Sequence, residues 1–277
     1  MGQGMLTQER QSEILRLLHR KERGAIAVTE LVAELGVSHM TIRRDLKYLH
    51  SLGLLHRVYA GATTSPSSGD DEPFFQRDLW FGDEKEAIGR IAASLIRPGE
   101  QIILDAGTTT LQIARRLAGR SDLVVVTSAL PVALELACCL NVHTIVLGGM
   151  LKSRELCTVG SMVSQTLSRI SVDRTFLSVA GFSLEQGATD PDMAEVEVKQ
   201  AMMRSARQVI LVADHNKWNR VAFAQIAPLQ DFHTLITDDE MPDEAIREIE
   251  ALGVKVITPG RIATTGAERA APWPDRA

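Results

Sequence analysis

The sequence has few cysteines, few aromatic residues and no long apolar run. Three cysteines in 277 residues, two of them adjacent, do not make a disulfide framework, and without neighbouring histidines they make a poor zinc site. We therefore expect no metal and no cofactor, with Cys138, Cys139 and Cys157 as small core residues in a reducing, cytoplasmic compartment. No apolar run reaches the roughly 18 residues that cross a bilayer, and the N-terminus lacks the pattern of a signal peptide. A membrane partner is not expected.

Charge is spread unevenly along the chain. Residues 1–61 contain nine Lys and Arg against six Asp and Glu, whereas the remainder contains 21 against 29. The net charge of the whole chain is −5. Because residues 1–61 are mildly basic and the rest of the chain is acidic, residues 1–61 alone are expected to bind a polyanion.

The residue pattern predicts a multi-domain chain. Residues 1–62 are typical of a small, mainly helical domain. Residues 63–75 include TTSPSSGDDEP, which lacks apolar periodicity and predicts a linker. In residues 76–262, short apolar runs alternate with helical stretches, which indicates an α/β domain with a parallel sheet covered on both faces. The runs are QIILDAG, LVVVTSA, HTIVLGG, RTFLSVAG, QVILVADH and HTLITDD. Residues 263–277 are expected to be a disordered tail.

The first domain contains the pattern of a helix-turn-helix. A helix that begins near Thr29 stops at Gly36, and Ser38 caps the next helix, which has an apolar stripe on one face and basic residues on the other. Two helices joined by a tight glycine turn, the second of which enters the major groove of DNA, form this motif. The segment LLHRVYAGA then predicts a strand and turn, a wing along the phosphate backbone. The expected contacts to double-stranded DNA are Ser38, His39, Thr41, Arg43, Arg44, Lys47 and Arg57.

The side-chain chemistry suggests separate roles on this helix. Arg43 and Arg44 present planar guanidinium groups that bind guanine edges or phosphates with two hydrogen bonds, which lysine cannot do. The hydroxyls of Ser38 and Thr41 can donate to phosphate at the helix N-terminus. Asp45 is expected to orient an arginine rather than to touch an anion. A charged outer face is also what any solvated helix shows, so the basic stripe alone leaves both interpretations open.

The second domain carries a pattern typical of phosphate binding. In QIILDAGTTTLQIARRL a strand ends at Asp105, and Gly107 to Thr110 precede a helix. Backbone N–H groups, the helix dipole and threonine hydroxyls at such a turn converge on an anion. The turn is neither a P-loop nor a G-x-G-x-x-G motif. Threonine also caps helices for purely structural reasons, so that alternative stays open.

Polar residues and glycines follow other predicted strands of this domain. The carboxyl ends of parallel strands lie at one edge of the sheet, where open α/β sheets bind ligands, so we expect these residues to converge on one crevice. Each of them could instead simply make a turn or lie in an exposed loop. The expected effector-binding residues at these strand ends are Asp105, Gly107, Thr108, Thr109, Thr110, Thr127, Ser128, Gly148, Gly149, Asp214 and Lys217.

The segment VTELVAELGVSHMTIRRDLKYLHSLGLLHRVYAGA resembles the helix-turn-helix of the DeoR family of bacterial transcriptional regulators. The family signature, V-S-x-x-T-I-R-R-D-L and then L-x-x-x-G-x-L-x-R, is matched from Val37 to Leu46 and from Leu49 to Arg57. The family usually continues with His-Gly-Gly-Ala, whereas this chain has Tyr59, Ala60, Gly61 and Ala62. The resemblance extends to about Asp239 through DAGTTT, VVTSA, VLGG, AEVEVKQAM and VADHNKW.

The resemblance implies a sensor domain similar in fold to ribose 5-phosphate isomerase. It further implies a repressor of a carbohydrate-metabolism operon that releases operator DNA when a phosphorylated sugar or related metabolite binds. It adds Glu195 and Lys199, which match the family's Glu-x-x-x-Lys pair, to the expected effector site. The family often has Thr-Asn-Ser where this chain has Thr127, Ser128 and Ala129. We expect two copies, held together by their sensor domains, to read DNA half-sites, so that self is also a partner.

A sugar-phosphate isomerase is the main alternative. Isomerases carry Gly-Ala-Asp-Glu and Lys-Gly-Gly-Gly segments, and this chain has residues 179–182 (VAGF) and 186–189 (QGAT) at the comparable places. Asp190, Asp192 and Glu195 lie close by and could in principle supply the base. A plain protein-interaction module is a third reading, but it explains neither the basic stripe nor the glycine–threonine turn. We expect a regulator and no enzyme.

Overall fold

The structure, a computed structural model, describes residues 7–19, 25–51, 55–58, 61–63, 74–78 and 82–261. The chain divides into two compact units, Met1–Trp80 and Phe81–Ala277, and each is described by itself. Most of the expected linker and the whole of the expected tail lie outside the described residues, so those two boundaries stay predictions. Within the described residues, no helix is both long enough and apolar enough to cross a membrane.

The first unit combines helices with a small antiparallel sheet. The strands are arranged in the order β1–β3–β2, so that β2 and β3 form the hairpin expected of a wing. Gly36 ends the second helix with a φ of 63°, a left-handed conformation that favours glycine. The elements are α1 Thr7–His19, β1 Ala25–Ala27, α2 Val28–Leu35, α3 His39–Ser51, β2 His56–Val58, β3 Gly61–Thr63 and α4 Phe74–Arg77.

The predicted apolar stripe of α3 forms the core of this unit. Ile42, Leu46 and Leu49 are no more than 2% exposed, and they belong to one cluster with Leu18 of α1 and Leu31 of α2. Burial of each such side chain is worth about 1.5–3 kcal/mol. Packing of this face against the other helices directs the opposite, basic face of α3 outward. A winged helix-turn-helix is confirmed.

The second unit is built on a seven-stranded sheet, in which every pairing is parallel. Its elements are α5 Gly82–Leu95, β4 Gln101–Leu104, α6 Thr108–Arg115, β5 Leu123–Thr127, α7 Leu130–Leu136, β6 Val142–Val146, β7 Met150–Lys152, β8 Cys157–Val159, α8 Ser161–Leu167, β9 Val172–Leu177, β10 Gly181–Ser183, β11 Gly187–Asp190, α9 Met193–Arg204, β12 Ala206–Val212, β13 Ala224–Ala227, β14 Thr234–Ile236, α10 Asp243–Ala251 and β15 Lys255–Ile257. The expected α/β fold class is confirmed.

The strand order of the main sheet includes a topological switch point. The order is β15–β14–β12–β9–β4–β5–β6. The chain begins at β4, moves outward through β5 to β6, then returns to the other side of β4 and continues from β9 to β15. The direction reverses between β4 and β9, and such a topological switch point is where open α/β sheets leave a crevice at the carboxyl ends of their strands.

Two small antiparallel elements accompany the main sheet. Strands β10, β11 and β13 form one, and the hairpin of β7 and β8 forms the other. The sequence did not predict them, because strands of three or four residues are too short for a readable alternation of apolar and polar residues. Both elements follow strands of the main sheet and therefore lie near its carboxyl edge.

Candidate functional sites

The N-terminal end of α3 is built as the sequence predicts. The Ser38 hydroxyl accepts a hydrogen bond from the Thr41 backbone N–H at 3.2 Å, and its oxygen lies 2.9 Å from the Thr41 hydroxyl. Ser38 therefore caps the helix. The cap also holds both hydroxyls at the positive end of the helix dipole, where a phosphate is bound most favourably.

The outer face of α3 presents its cations to solvent. His39, Arg43, Arg44 and Lys47 are exposed, and Thr41 is half-buried. Arg57 belongs to β2, but its side chain lies outside the described residues. Accessible guanidinium groups on the second helix of the motif are what DNA recognition requires.

The side chains of Met40 and Tyr48 share this exposed face, and they were not among the predicted DNA contacts. Met40 is 78% exposed and Tyr48 is 50% exposed. Their spacing from Arg43, Arg44 and Lys47 on the same helix could have included them in the expected DNA surface.

Asp45 lies on the opposite side of α3 and is 1% exposed. The Arg10 side chain of α1 donates from Nε to Asp45 Oδ2 at 2.6 Å, and the Gln11 amide donates to Asp45 Oδ1 at 3.2 Å. The arginine that Asp45 orients is therefore Arg10, and not the adjacent Arg43 or Arg44. The pair fastens α3 to α1 and leaves both neighbouring arginines for an external anion.

A polar centre occupies the switch point of the sheet in the second unit. Asp105 follows β4 and Ser178 follows β9, the two strands between which the chain reverses direction. The Ser178 N–H donates to Asp105 Oδ2 at 3.1 Å, and the Ser178 hydroxyl donates to the Ala106 carbonyl at 2.8 Å. These bonds join the carboxyl ends of the two strands. Ser178 was not predicted, although its place at the end of the run RTFL follows the rule that was applied to the other strands.

Lys199 of α9 is the central cation of this arrangement, and its side chain is only 3% exposed. Its ammonium lies 2.5 Å from Asp105 Oδ2, 2.9 Å from the Ser178 carbonyl oxygen and 3.6 Å from Asp190 Oδ2. Burial alone would lower the pKa of Lys199, but Asp105 and Asp190 raise it above its ordinary value. Burial raises the pKa of Asp190 to about 6, with Lys199 acting in the opposite direction. Lys199 is thus charged and surrounded by oxygen acceptors.

The glycine–threonine turn leads from this centre into α6. The Thr110 hydroxyl donates to the carbonyls of Asp105 and Gly107, at 2.7 and 2.9 Å, and closes the turn. A Cβ added to Gly107 would overlap the Ser178 hydroxyl and lie 2.8 Å from Ser178 Cβ. Glycine is therefore required by close packing.

The beginning of α6 has free donors. The first amide of α6 that donates along the helix is that of Leu111, which bonds the Gly107 carbonyl at 3.1 Å, and Gly107 provides no side-chain cap. Within the part of the chain that the structure describes, the amides of residues 108–110 have no acceptor. Thr108 and Thr109 are each 6% exposed, so these donors lie in a nearly closed position. Unpaired donors at a helix N-terminus form an anion site.

The remaining predicted residues follow other strands of the main sheet. The Thr127 hydroxyl donates to the Leu104 carbonyl at 2.7 Å and accepts from the Ala129 amide at 3.0 Å, so it ties β5 to β4. Ser128 is buried beside it. Gly148 and Gly149 follow β6 and are exposed.

Asp214 and Lys217 lie beyond β12, the strand next to β9. The Asp214 carboxylate accepts from the Asn216 amide at 3.1 Å and caps the 3-10 turn His215–Lys217. Asp214 is 1% exposed, whereas Lys217 is half-buried. All of the predicted strand-end residues therefore lie on the carboxyl edge of the sheet, and their contact with an effector stays a prediction.

Glu195 of α9 is paired with a lysine that the sequence did not suggest. Lys152 of β7 places its ammonium 2.5 Å from Glu195 Oε1 and 2.7 Å from Asp192 Oδ2. Asp192 is also the N-cap of α9, where it accepts from the amides of Ala194 and Glu195. Nothing in the sequence marks Lys152, because it lies in a hairpin whose fold over the sheet could not be predicted.

A winged helix-turn-helix with an exposed basic helix, followed by an α/β unit with a polar centre at its switch point, defines a DNA-binding regulator with a sensor domain. The family model for the DeoR-like helix-turn-helix domain matches residues 10–68, and that for the DeoR C terminal sensor domain matches residues 81–239. The chain belongs to the DeoR family of transcriptional regulators.

Known relatives align with this chain over most of its length. An uncharacterized HTH-type transcriptional regulator of Escherichia coli, YgbI, is 37% identical over 88% of this chain and 95% of its own length. The glycerol-3-phosphate regulon repressor of Haemophilus influenzae is 32% identical over 90% of this chain and 95% of its own length. A D-ribose-5-phosphate isomerase structure in complex with phospho-erythronic acid aligns over 50% of this chain and 54% of that chain, with 15% identity and a TM-score of 0.38. A structural similarity that low supports no conclusion about activity.

Proposed function

We propose that this chain represses a carbohydrate-metabolism operon and releases operator DNA when a phosphorylated sugar or related metabolite binds at the switch point of the sheet. The observation that carries the proposal is the set of unpaired amides at the beginning of α6, which lie next to the Asp105–Lys199 centre. Donors of this kind at a helix N-terminus favour the binding of a phosphate group. The Haemophilus influenzae relative is named as the glycerol-3-phosphate regulon repressor, and glycerol 3-phosphate, a phosphorylated polyol, belongs to the same class of effector.

The arrangement is better suited to binding than to catalysis. Sugar-phosphate isomerisation needs a carboxylate that is free to remove a proton next to a carbonyl group. Asp105 and Asp190 both face Lys199, and Asp192 and Glu195 both face Lys152. Each of these carboxylates is engaged in an ion pair, so we infer that the chain is not an enzyme. The isomerase alternative would return if the purified protein interconverted ribose 5-phosphate and ribulose 5-phosphate.

Operator binding is tested with the full-length protein on a duplex selected by it from a random-sequence library. Arg43→Ala removes a two-pronged base or phosphate contact and should weaken binding about 10-fold to 100-fold. Arg16→Ala is the matched control, because Arg16 lies on α1 with its side chain 59% exposed and outside the recognition helix. Fluorescence anisotropy measures both variants. Equal Kd values for Arg43→Ala and the unchanged protein would refute the assignment of α3.

Effector binding is tested by thermal shift and calorimetry with inorganic phosphate and a panel of sugar and polyol monophosphates. A ligand present at about 100 times its Kd adds about 2.7 kcal/mol to the stability of the native state. We expect at least one sugar monophosphate to raise the Tm of the sensor unit and to raise the Kd for the selected duplex. If no phosphorylated compound does either, the effector proposal is wrong.

We also propose that the chain acts as a cytoplasmic homo-oligomer. Two helix-turn-helix units read half-sites that are separated by whole turns of DNA, each about 34 Å. Sedimentation velocity should therefore give a mass of at least twice the 30.3 kDa of one chain. A purely monomeric protein that still binds the selected duplex with full affinity would contradict this part of the proposal.

A further inference from the structure

The hairpin of β7 and β8 covers the carboxyl edge of the sheet beside the switch point. The Thr158 amide of β8 donates to the Ser128 carbonyl at 2.9 Å, and the Leu130 amide donates to the Leu156 carbonyl at 2.8 Å. Burial, followed by the nearby carboxylates of Glu195 and Asp105, raises the pKa of Cys157 to about 12. The hairpin, the beginning of α9 and the switch point therefore share one neighbourhood.

The hairpin supplies a second lysine, Lys152, to this neighbourhood. Lys152 has fewer oxygen partners than Lys199 and is more exposed. An ammonium group has three N–H donors. Lys199 has three oxygen partners and its side chain is 3% exposed, whereas Lys152 contacts one oxygen each of Asp192 and Glu195 and its side chain is 23% exposed. Lys152 can therefore still donate to a ligand, whereas Lys199 is committed to the protein.

We propose that Lys152, Asp192 and Glu195 form a hydroxyl-binding cluster, which recognises the uncharged, hydroxyl-rich end of a ligand whose phosphate lies at the beginning of α6. This inference rests on the proposed function and specifies the class of effector. A hydroxyl group both donates and accepts. It can donate to a carboxylate of the cluster and accept from Lys152 at the same time.

The charge of the cluster excludes other phosphorylated metabolites. Hydrogen bonding to Lys152 lowers the pKa of Asp192, so that this carboxylate is ionised at neutral pH. A second phosphate or a carboxylate on the ligand can only accept hydrogen bonds, and it would meet two carboxylates against one ammonium. Like charges brought together in this way oppose binding. The cluster therefore favours sugar or polyol monophosphates over bisphosphates and phosphorylated sugar acids.

The test compares ligands in matched pairs on the full-length protein by calorimetry. The pairs are glycerol 3-phosphate with 3-phosphoglycerate, glucose 6-phosphate with 6-phosphogluconate, and fructose 6-phosphate with fructose 1,6-bisphosphate. In each pair, the first compound has an uncharged end and the second has an additional carboxylate or phosphate there. Wherever the first compound binds, the second should have an affinity at least about tenfold lower, because it places an anion beside the carboxylates of the cluster. If the member with the additional carboxylate or phosphate binds equally or more tightly, the inference is overturned.

Variants then test which residues of the cluster cause the preference for sugar monophosphates. Asp192→Asn keeps a good helix cap and removes one negative charge, so it should reduce the affinity ratio of each pair by about fivefold. Lys152→Met should weaken sugar monophosphate binding about tenfold more than it weakens inorganic phosphate binding, and Lys152→Arg should restore most of the loss. Lys255→Met is the matched control, an exposed lysine at the amino end of β15, and should change neither measurement.

The outcomes separate this inference from the proposed function. If Asp192→Asn leaves the ratios unchanged, or if Lys152→Met weakens sugar monophosphates and inorganic phosphate equally, the hydroxyl-binding cluster is refuted while effector binding stands. If no phosphorylated compound and no inorganic phosphate binds the unchanged protein, the proposed function fails and the inference fails with it.

Discussion

At the scale of single residues, the structure depends on buried aspartates that join separate elements. Asp45 joins α3 to α1 through Arg10, and Asp105 joins β4 to α9 through Lys199. Removing one partner from a buried ion pair leaves the other charged and desolvated, which is far more costly than losing an exposed pair. These aspartates are therefore as important for the two sites as the residues that face a ligand.

The first prediction concerns Asp45. Asp45→Asn removes the carboxylate charge from a buried ion pair and should reduce the free energy of unfolding of the first unit by about 3–5 kcal/mol. Hydrogen exchange of peptides from α1 and α3, measured on the full-length protein, reports this change. Glu13→Gln is the control, since its pair with Arg16 is largely exposed and should contribute no more than about 0.5 kcal/mol. Equal protection of α1 in the two variants would contradict the structural role of Asp45.

The second prediction concerns pH and Asp190. Because its pKa is raised to about 6 in the folded state, the native protein binds this proton more tightly than the unfolded chain does. Stability should therefore fall as pH rises from about 4 to about 6 and then stay level, with a total loss of about 3 kcal/mol from this group. Asp190→Asn lacks the group, so its stability relative to the unchanged protein should rise over the same window. Urea unfolding at pH 4 and pH 7 measures the difference, and an equal difference at both values would refute the prediction.

At the scale of elements, the proposed anion site depends on the turn from Asp105 into α6. The turn is closed by the Thr110 hydroxyl and packed against Ser178. The helix dipole adds a positive potential at this end of α6. The proposed anion site therefore depends on the geometry of this turn.

The third prediction tests that turn. Gly107→Ala places a methyl group against Ser178, so the turn must shift, and phosphate and sugar monophosphates should bind at least about tenfold more weakly. Gly82→Ala is the control, because no atom lies within 4 Å of the added Cβ and its φ is not in the left-handed region. Calorimetry measures the affinity of both variants for inorganic phosphate and for sugar monophosphates. Undiminished ligand affinity in Gly107→Ala would place the anion site elsewhere.

The secondary-structure elements also differ in how well they could be predicted from the sequence. Short runs rich in Ile, Val and Leu located β4, β5, β6, β9, β12 and β14, although β6 at the edge of the sheet is largely exposed. The cap and glycine stop located α2 and α3. The partner of Asp45 and the position of Lys152 could not be predicted, since each depends on contacts between residues more than 30 positions apart in the sequence. The candidate site was thus predicted at its strand ends and missed where the hairpin folds over it.

At the scale of the whole molecule, the two units are useful only if binding in one changes binding in the other. Such coupling requires that the effector bind the DNA-free protein more tightly than the DNA-bound protein, and the reciprocal effect on DNA affinity must have the same size. Known allosteric couplings range from about 5-fold to about 150-fold in affinity. The affinity of the protein for DNA is expected to fall when the effector is present.

The most direct test is therefore the Kd of the full-length protein for its selected duplex, measured by fluorescence anisotropy with and without a saturating sugar monophosphate that binds the sensor unit. The Kd should rise at least about 5-fold with the ligand, and the rise should be lost in Gly107→Ala. An unchanged Kd with every ligand that demonstrably binds would contradict the account.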